Sequence, residues 1–403
     1  MKLLFYQWGS NYDSVSEKIF KSHKDLENVT LKDKVNDFHI DSTFSLKLMT
    51  IINSEKIDAV FSYDYFPVIS IVCDVVKIPY ISWILDCPML TLQSKTVAND
   101  CNYIFNFDRL YTERVAALGC RNSIYLPLGA YENMKWQGGG YKSDISFVGS
   151  LYTDSKNRYR NIAHCANTKA NDSKLTNSKY NASRLDEYTE GFVNGLINAQ
   201  EKIYGYNIFR DSLNDEVVLK YNAACELELG DMFIQDPYGL CADSLSVETT
   251  ARERIHVLDM LSDYWNVDLY TDCKLEPELK KDRLHMKGRV DYETQMPVVF
   301  HNSRINLNMT SKSIESGIPL RIFDILACGG FCMTNYQLEV AEYFEDGVDL
   351  VMYTSLDDLK RKCDYYLTHE EERAEIAHNG YKKVMEQYTV GQAIDKMLAT
   401  LNL

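Results

Sequence analysis

Residues 305–330 read INLNMTSKSIESGIPLRIFDILACGG, and this stretch sets the architecture. Ile305 to Met309 is a short apolar run that reads as a strand, ending near Asn308. Pro319 to Cys328 is a helix with proline in its first turn, where a missing N–H costs little. Gly329 and Gly330 stop it, and Phe331 to Thr334 is the next strand. Strand, loop, helix and strand in that order make one unit of a parallel α/β sheet. Thr310, Ser311, Ser313, Ser316 and Gly317 lie between the first strand and the helix. Such a junction suits a phosphate: free backbone N–H groups and the helix dipole attract the anion, and Gly317 lets backbone approach. Arg321 adds a forked cation. It opposes the dipole at a helix start, so its placement asks for a reason. Asp324, one turn in, can accept two hydrogen bonds from a ribose diol. The plainer reading makes both ordinary first-turn residues.

Working outward, the same grammar holds on both sides. In the first ~130 residues, strands at Leu3–Gln7, Asp58–Tyr63, Tyr80–Leu85, Tyr103–Phe107 and Ser123–Leu126 are separated by helix-length segments, including a helix over Phe66–Val76. Tyr131–Tyr141, with Gly138, Gly139 and Gly140, reads as a linker. A new strand at Asp144–Val148 ends in Gly149 and Ser150. Residues from about 155 to 245 are polar and lack strand alternation, so they predict a mostly helical insertion. The α/β pattern resumes with a helix near 247–264, a strand at Val267–Tyr270 and an extended segment at Met286–Val290. Helices follow near 337–343, 355–367 and 370–387. The expected fold class is α/β: two Rossmann-like domains facing a cleft. The expected boundaries are 1–135, 136–389 and a terminal helix, 390–403, returning to the first domain.

The chain has 403 residues, enough for two or three domains. With 43 Lys and Arg against 58 Asp and Glu, its formal net charge is −15. That excludes a general nucleic-acid binder, which needs a basic footprint, and disfavours an anionic membrane surface. An anionic ligand would have to be held by a local basic patch. The cysteines are odd in number, at 11, and scattered without a C-x-x-C. Together with a first segment, MKLLFYQWGSNYD, that lacks a long apolar run, this predicts a reduced, cytoplasmic protein. No stretch approaches the length of a membrane span.

In open α/β sheets ligands bind beyond the C-terminal strand ends, so the polar residues there are the candidates. Gly149 and Ser150 leave one strand as a second backbone contact for phosphate. Arg289, after Gly288, is the best diphosphate candidate in a basic cluster that also holds Lys274, Lys280, Lys281, Arg283 and Lys287. In SWILDCP, Ser82 to Pro88, Asp86 leaves a buried strand toward the cleft. It could act as a general base or orient a hydroxyl, or simply brace its own loop. Asp64 and Asp108 hold equivalent strand ends as weaker candidates. G-x-G-x-x-G after the first strand, the P-loop motif, H-E-x-x-H and G-x-S-x-G are all absent. Cys328 and Cys332 read as packing residues, and no metal ligand set is expected.

Three blocks carry a resemblance: YISWILDCP with YIFNFDRLYTERVAALGCRNSIYLPLGA; GRVDYETQMPVVFHNSRINLNMT; and SGIPLRIFDILACGGFCMTNYQLEVAEYFEDG with YYLTHEEERAEIAHNGYKKV. The chain resembles the bacterial GT-B glycosyltransferases related to CgeB-type spore maturation proteins. The likeness covers nearly all of it except the helical insertion. It implies a nucleotide-sugar donor, a UDP-sugar first of all, in the C-terminal half, and a protein or glycan acceptor in the N-terminal half. It implies a hexosyltransferase of the Leloir type with neither cofactor nor metal. The donor would be held by Gly149, Ser150, Arg289, Asn308, Ser316, Gly317, Arg321 and Asp324, with Asp86 as the catalytic residue. Asp324 stands where the wider group has a ribose-binding Glu, and the usual E-x7-E spacing is not met, since Glu315 to Asp324 is one residue too long. A nucleotide-sugar epimerase or a non-catalytic sugar-binding assembly protein fits the same residues.

Overall fold

The computed structural model describes residues 1–10, 12–131, 140–154, 157–160, 185–227, 229–274, 279 and 281–401. The expected linker glycines Gly138 and Gly139, the cationic Lys280 and much of the expected insertion lie outside the described residues.

The first half runs β1 (Lys2–Gln7), α1 (Asp13–Ser22), β2 (Glu27–Lys32), α2 (Ser42–Glu55), β3 (Ala59–Tyr63), α3 (Pro67–Val76), β4 (Tyr80–Trp83), β5 (Asn102–Asn106), α4 (Arg109–Ala117) and β6 (Ser123–Tyr125). Its strands form one sheet in the order β2-β1-β3-β4-β5-β6, every pair parallel. β3 is buried at all five positions. That continuous run is what a parallel strand covered on both faces requires. α2 starts at Asp41, whose carboxylate accepts the Phe44 N–H at 2.9 Å.

The second half runs β7 (Ser143–Val148), α5 (Glu187–Gln200), α6 (Phe209–Ser212), α7 (Asp215–Ala224), α8 (Pro237–Ser262), β8 (Val267–Tyr270), β9 (Leu284–Met286), α9 (Met296–Asn302) and β10 (Ser303–Asn308). It continues with α10 (Leu320–Ala327), β11 (Cys332–Asn335), α11 (Leu338–Tyr343), β12 (Val351–Tyr353), α12 (Leu356–Thr368), α13 (Glu370–Gln387) and α14 (Val390–Thr400). The sheet order is β12-β11-β10-β7-β8-β9, again parallel throughout.

Two differences from the sequence reading stand out. β2, ENVTLK, escaped because it is an edge strand with one fully buried residue, and it carries little apolar signal. The insertion has no break at 245: α8 is one unbroken helix of 26 residues, begun by an Asp236 cap and Pro237. Its first turns pack with α5 and α7 around Val193, Ile197, Val217 and Tyr221, and its last turns cover the second sheet through Val257, Leu258 and Leu261.

α14 packs Val390, Ile394 and Met397 into the same cluster as Leu3, Phe5 and Phe20 of the first half. A reciprocal cap between Thr389 and Gln392 starts it. Ala130 and Tyr388/Val390 are joined by backbone hydrogen bonds of 2.7 and 2.9 Å. Gly129 is required there, because a Cβ would sit 2.8 Å from the Thr389 carbonyl carbon.

Candidate active site

The C-terminal strand ends of the two sheets face one another across a cleft. A 520 Å³ cavity lies in it, lined from the first half by Trp8, Gly9, Ser10, Asp64 and Asp86, and from the second by Gly149, Ser150, Arg254, Arg289, Asn308 and Arg321. It continues into a 750 Å³ cavity that shares Gly149, Ser150, Arg289 and Arg321 and adds Tyr270, Asp291 and Tyr292. In a chain of charge −15, three arginines around one glycine-bearing loop form the local basic patch that an anionic ligand needs.

Each arginine is held differently. Arg254, from α8, is 7% exposed and donates to the Ser150 and Met309 carbonyls, both at 2.5 Å. It also lies over the Phe147 and Tyr152 rings. It therefore ties the loop after β7 to the end of β10. Arg321, in the first turn of α10, donates to Asp324 Oδ2 at 2.9 Å and lies over the Phe300 ring. Arg289 is exposed, and among the described residues it donates no side-chain hydrogen bond. The Gly149 N–H donates to the Tyr270 carbonyl at 3.0 Å. A Cβ at Gly149 would meet the Phe147 ring at 3.0 Å.

Of the sequence-derived donor set, Gly149, Ser150, Arg289, Asn308 and Arg321 come together on this cavity. Asn308 is buried and braced, donating to Thr310 Oγ1 at 3.1 Å and Thr334 Oγ1 at 2.8 Å. Three placements differ from expectation. Asp324 is 1% exposed and lines neither cavity. Its carboxylate is already taken by Arg321 and by the Tyr292 hydroxyl at 2.6 Å, so it anchors Arg321 and cannot offer itself to a ribose in this arrangement. Burial pushes its pKa up to about 6, against the opposing pull of the Arg321 charge and the Tyr292 hydrogen bond.

Ser316 and Gly317 also sit elsewhere. Asp108 caps α4 and at the same time accepts the Glu315 N–H at 2.7 Å, the Ser316 N–H at 3.0 Å and the Ser316 hydroxyl at 2.9 Å. A Cβ on Gly317 would lie 2.8 Å from Asp108 Cβ. Ser316 and Gly317 thus belong to the seam between the two halves, while Thr310, Ser311 and Ile314 of the same loop line the cavity. The Thr310 and Lys312 N–H groups of this loop are likewise taken, by Asn335 Oδ1 and Thr250 Oγ1. Glu315 pairs with Arg114 across the seam, and Glu339 adds the Ser316 hydroxyl and the Arg109 N–H.

Opposite the arginines, Asp86 is exposed beyond β4. Beneath it lies Asp64, 2% exposed, in the left-handed region at φ 58°. Asp64 Oδ1 accepts the Leu85 N–H at 2.9 Å and the Asp86 N–H at 3.3 Å. Burial first, and then the neighbouring Asp86 charge, push the Asp64 carboxyl well above the usual range. Sequence reasoning ranked Asp64 low and did not single out Arg254 or Trp8. A strand-end acid was visible for Asp64; Arg254 lies mid-helix, where nothing local marks it.

Part of the sequence and the fold as a whole are similar to known proteins. Residues 251–399 match the glycosyl transferase-like family model. Anabaena HepE, solved in complex with UDP and glucose, superposes with a TM-score of 0.55 at 11% identity, covering 100% of this chain and 99% of that one. The chain has the GT-B fold and carries a glycosyl transferase-like domain over residues 251–399. Sucrose-phosphate synthase from Thermosynechococcus elongatus shares the fold with a TM-score of 0.53 at 8% identity, over 100% and 98% of the two chains. The spore protein CgeB of Bacillus subtilis is 33% identical over 79 residues, a match spanning 20% of this chain and 23% of that relative. Among the described residues no helix is long and apolar enough to cross a membrane.

Proposed function

We propose that the chain transfers a sugar from a nucleoside-diphosphate donor, UDP-linked first of all, to a hydroxyl acceptor. The observation that carries this is the cavity itself, with Arg254, Arg289 and Arg321 on one wall and the Asp64/Asp86 pair on the other. The HepE complex with UDP and glucose on the same fold supports the choice of nucleotide. In this reading Arg289 and Arg321 clamp the diphosphate beside the Gly149 loop, Arg254 keeps that loop in place, and Asp324 holds Arg321. Negative charge grows on the departing diphosphate. Two guanidinium groups and the first turn of α10 meet it with preorganised donors, so no metal is needed.

Asp86 takes the acceptor proton. A general base must be within hydrogen-bond reach of its proton, and Asp86 is the exposed member of the acidic pair on the acceptor wall. Asp64 beneath it pins the Leu85–Asp86 backbone and is a positioning residue. The deciding experiment incubates the full chain with a panel of nucleotide sugars, with and without sugar acceptors, alongside UDP titration calorimetry. Transfer that needs an acceptor, with UDP binding lost in an Arg289→Ala/Arg321→Ala double variant, is the expected result. An isomerised donor without any acceptor would establish an epimerase instead. UDP binding equal in wild type and double variant would refute the site.

A further inference from the structure

A third cavity, of 960 Å³, opens beside the first and shares Trp8, Gly9 and Ser10 with it. Trp8 is 40% exposed, yet its ring is fixed, because Nε1 donates to the Tyr63 carbonyl at 3.0 Å. Next to it stands Phe66, 8% exposed, with ring centroids 6.4 Å apart, and then, beyond the cavity lining, Phe38, another 6.3 Å on. Phe38 is 51% exposed. Its segment is pinned: its carbonyl accepts the Val68 N–H at 2.7 Å, and Asp37 Oδ1 accepts the His39 and Ile40 N–H groups, each at 2.8 Å. Two large rings left half in water on a fixed backbone forgo apolar burial that a ligand face could supply.

The rest of the cavity states what kind of face. Carboxylates Asp13, Asp33, Asp291 and Glu293 line it together with Lys32 and Lys34. Rings that cover apolar C–H surface, beside acids that accept hydroxyl protons, suit a molecule with both features on each unit. The acidic excess repels a phosphorylated or uronic chain and an anionic lipid surface. The row is longer than one sugar ring and begins at the cavity that holds Asp86.

We propose that the exposed rings of Trp8 and Phe38, joined by the buried Phe66 between them, form a stacking ledge for a neutral oligosaccharide acceptor, whose terminal sugar reaches Asp86 while the trailing sugars lie along the ledge. This rests on the transferase reading above and adds the substrate class. Sugar rings stack by covering the aromatic faces, and Asp33 and Glu293 take their hydroxyl groups.

The test uses the full chain with saturating UDP and two probe series, glucose with its α-1,4 oligomers and N-acetylglucosamine with its β-1,4 oligomers, from one to six units. Binding is followed by calorimetry. Affinity should rise about ten-fold or more between one and three units in one series, and Phe38→Ala should remove about three- to ten-fold of that gain. The same variant should bind the monomer and UDP as wild type does. Trp8→Phe, which keeps a ring, should retain more of the gain than Trp8→Ala at an unchanged melting temperature, whereas a merely structural role for Trp8 would lower the melting temperature in step with the lost affinity. Equal affinity for all lengths, no binding of either series at millimolar concentration, or transfer confined to peptide acceptors would overturn the ledge. If UDP binds normally in those cases, the donor site stands and the ledge alone falls; loss of UDP binding in wild type would fell the transferase reading itself.

Discussion

Asp324→Asn should make the protein more stable at pH 8 and leave it nearly unchanged at pH 4. Asp324 is 1% exposed, so solvent does little to screen it. Its pKa rises on folding from 3.8 to about 6. A raised carboxylate pKa means that the folded state holds the proton more tightly than the unfolded state. The resulting stability is fully present below the unfolded pKa and is lost as pH rises through the folded one. The rise from 3.8 to about 6 corresponds to about 3 kcal/mol, lost between roughly pH 4 and pH 7. Asparagine does not titrate. It can keep its oxygen on the Arg321 guanidinium and turn its amide toward the Tyr292 oxygen, so both contacts survive. Other buried acids also titrate high, Asp64 and Asp243 among them. They are common to both proteins and cancel in the difference. Urea unfolding of wild type and variant at pH 4, 6 and 8 measures it directly. The variant should gain about 3 kcal/mol over wild type at pH 8, with most of that gain appearing by pH 7. A difference that is flat across pH, or a wild type that is the more stable at pH 8, would refute the assignment of Asp324 as a buried charge held at a net cost.

Asp86→Asn should keep UDP affinity and the melting temperature and lose about 10²–10⁴ in transfer rate; turnover within a few-fold of wild type would reduce Asp86 to a loop brace. Gly317→Ala should destabilise the protein by about 1–3 kcal/mol, since the new Cβ meets Asp108 Cα and the Phe107 carbonyl at 2.9 Å, and an unchanged urea midpoint would argue against a tight seam. Transfer should persist in EDTA, and activity abolished by the chelator and restored by manganese or magnesium would end the metal-free mechanism.

The sheets were legible because their strands are apolar and short and alternate with helix-length segments. The seam was not. Ser316 and Gly317, just before a helix start, look in one dimension like a phosphate loop. A glycine that admits an anion and a glycine that admits another backbone leave the same local signature. What separates them is Asp108, which accepts the Glu315 N–H from 207 residues earlier in the chain, and no local pattern reports such a pairing. Asp108 itself was visible as an acid at a strand end, the same signal that marked Asp64 and Asp86. Three acids at equivalent strand ends therefore took three roles, as seam, brace and exposed carboxylate. Burial decided which was which, Asp108 under the Glu315–Ser316 backbone of the opposing half and Asp64 under the Leu85–Asp86 backbone of its own. Arg321 carried a usable signal, a cation at the unfavourable end of a helix dipole, and it does line the cavity.

The arginines differ in what they must give up to hold a diphosphate, and this separates Arg289 from Arg321 by experiment. Arg289 donates no side-chain hydrogen bond among the described residues, so turning it onto a phosphate breaks none there. Arg321 shares its guanidinium with Asp324 at 2.9 Å, and Asp324 has no other cation within ion-pair distance among the described residues. Removing Arg321 therefore strands a buried carboxylate, whereas among the described residues removing Arg289 strands no buried charge and only takes a cation from near the exposed Asp291. Arg289→Ala should lower UDP affinity by about ten-fold, the worth of one charge-assisted hydrogen bond, with urea stability unchanged. Arg321→Ala should lower UDP affinity by at least as much and also destabilise the protein at pH 8, by about 3 kcal/mol or more. At pH 4 that destabilisation should shrink, because Asp324 is then protonated and needs no cation. Equal stability losses in the two variants, or an Arg321→Ala loss as large at pH 4 as at pH 8, would show that the Arg321 pair is not what keeps Asp324 ionised, and Asp324 would then have no electrostatic reason to lie behind the donor wall.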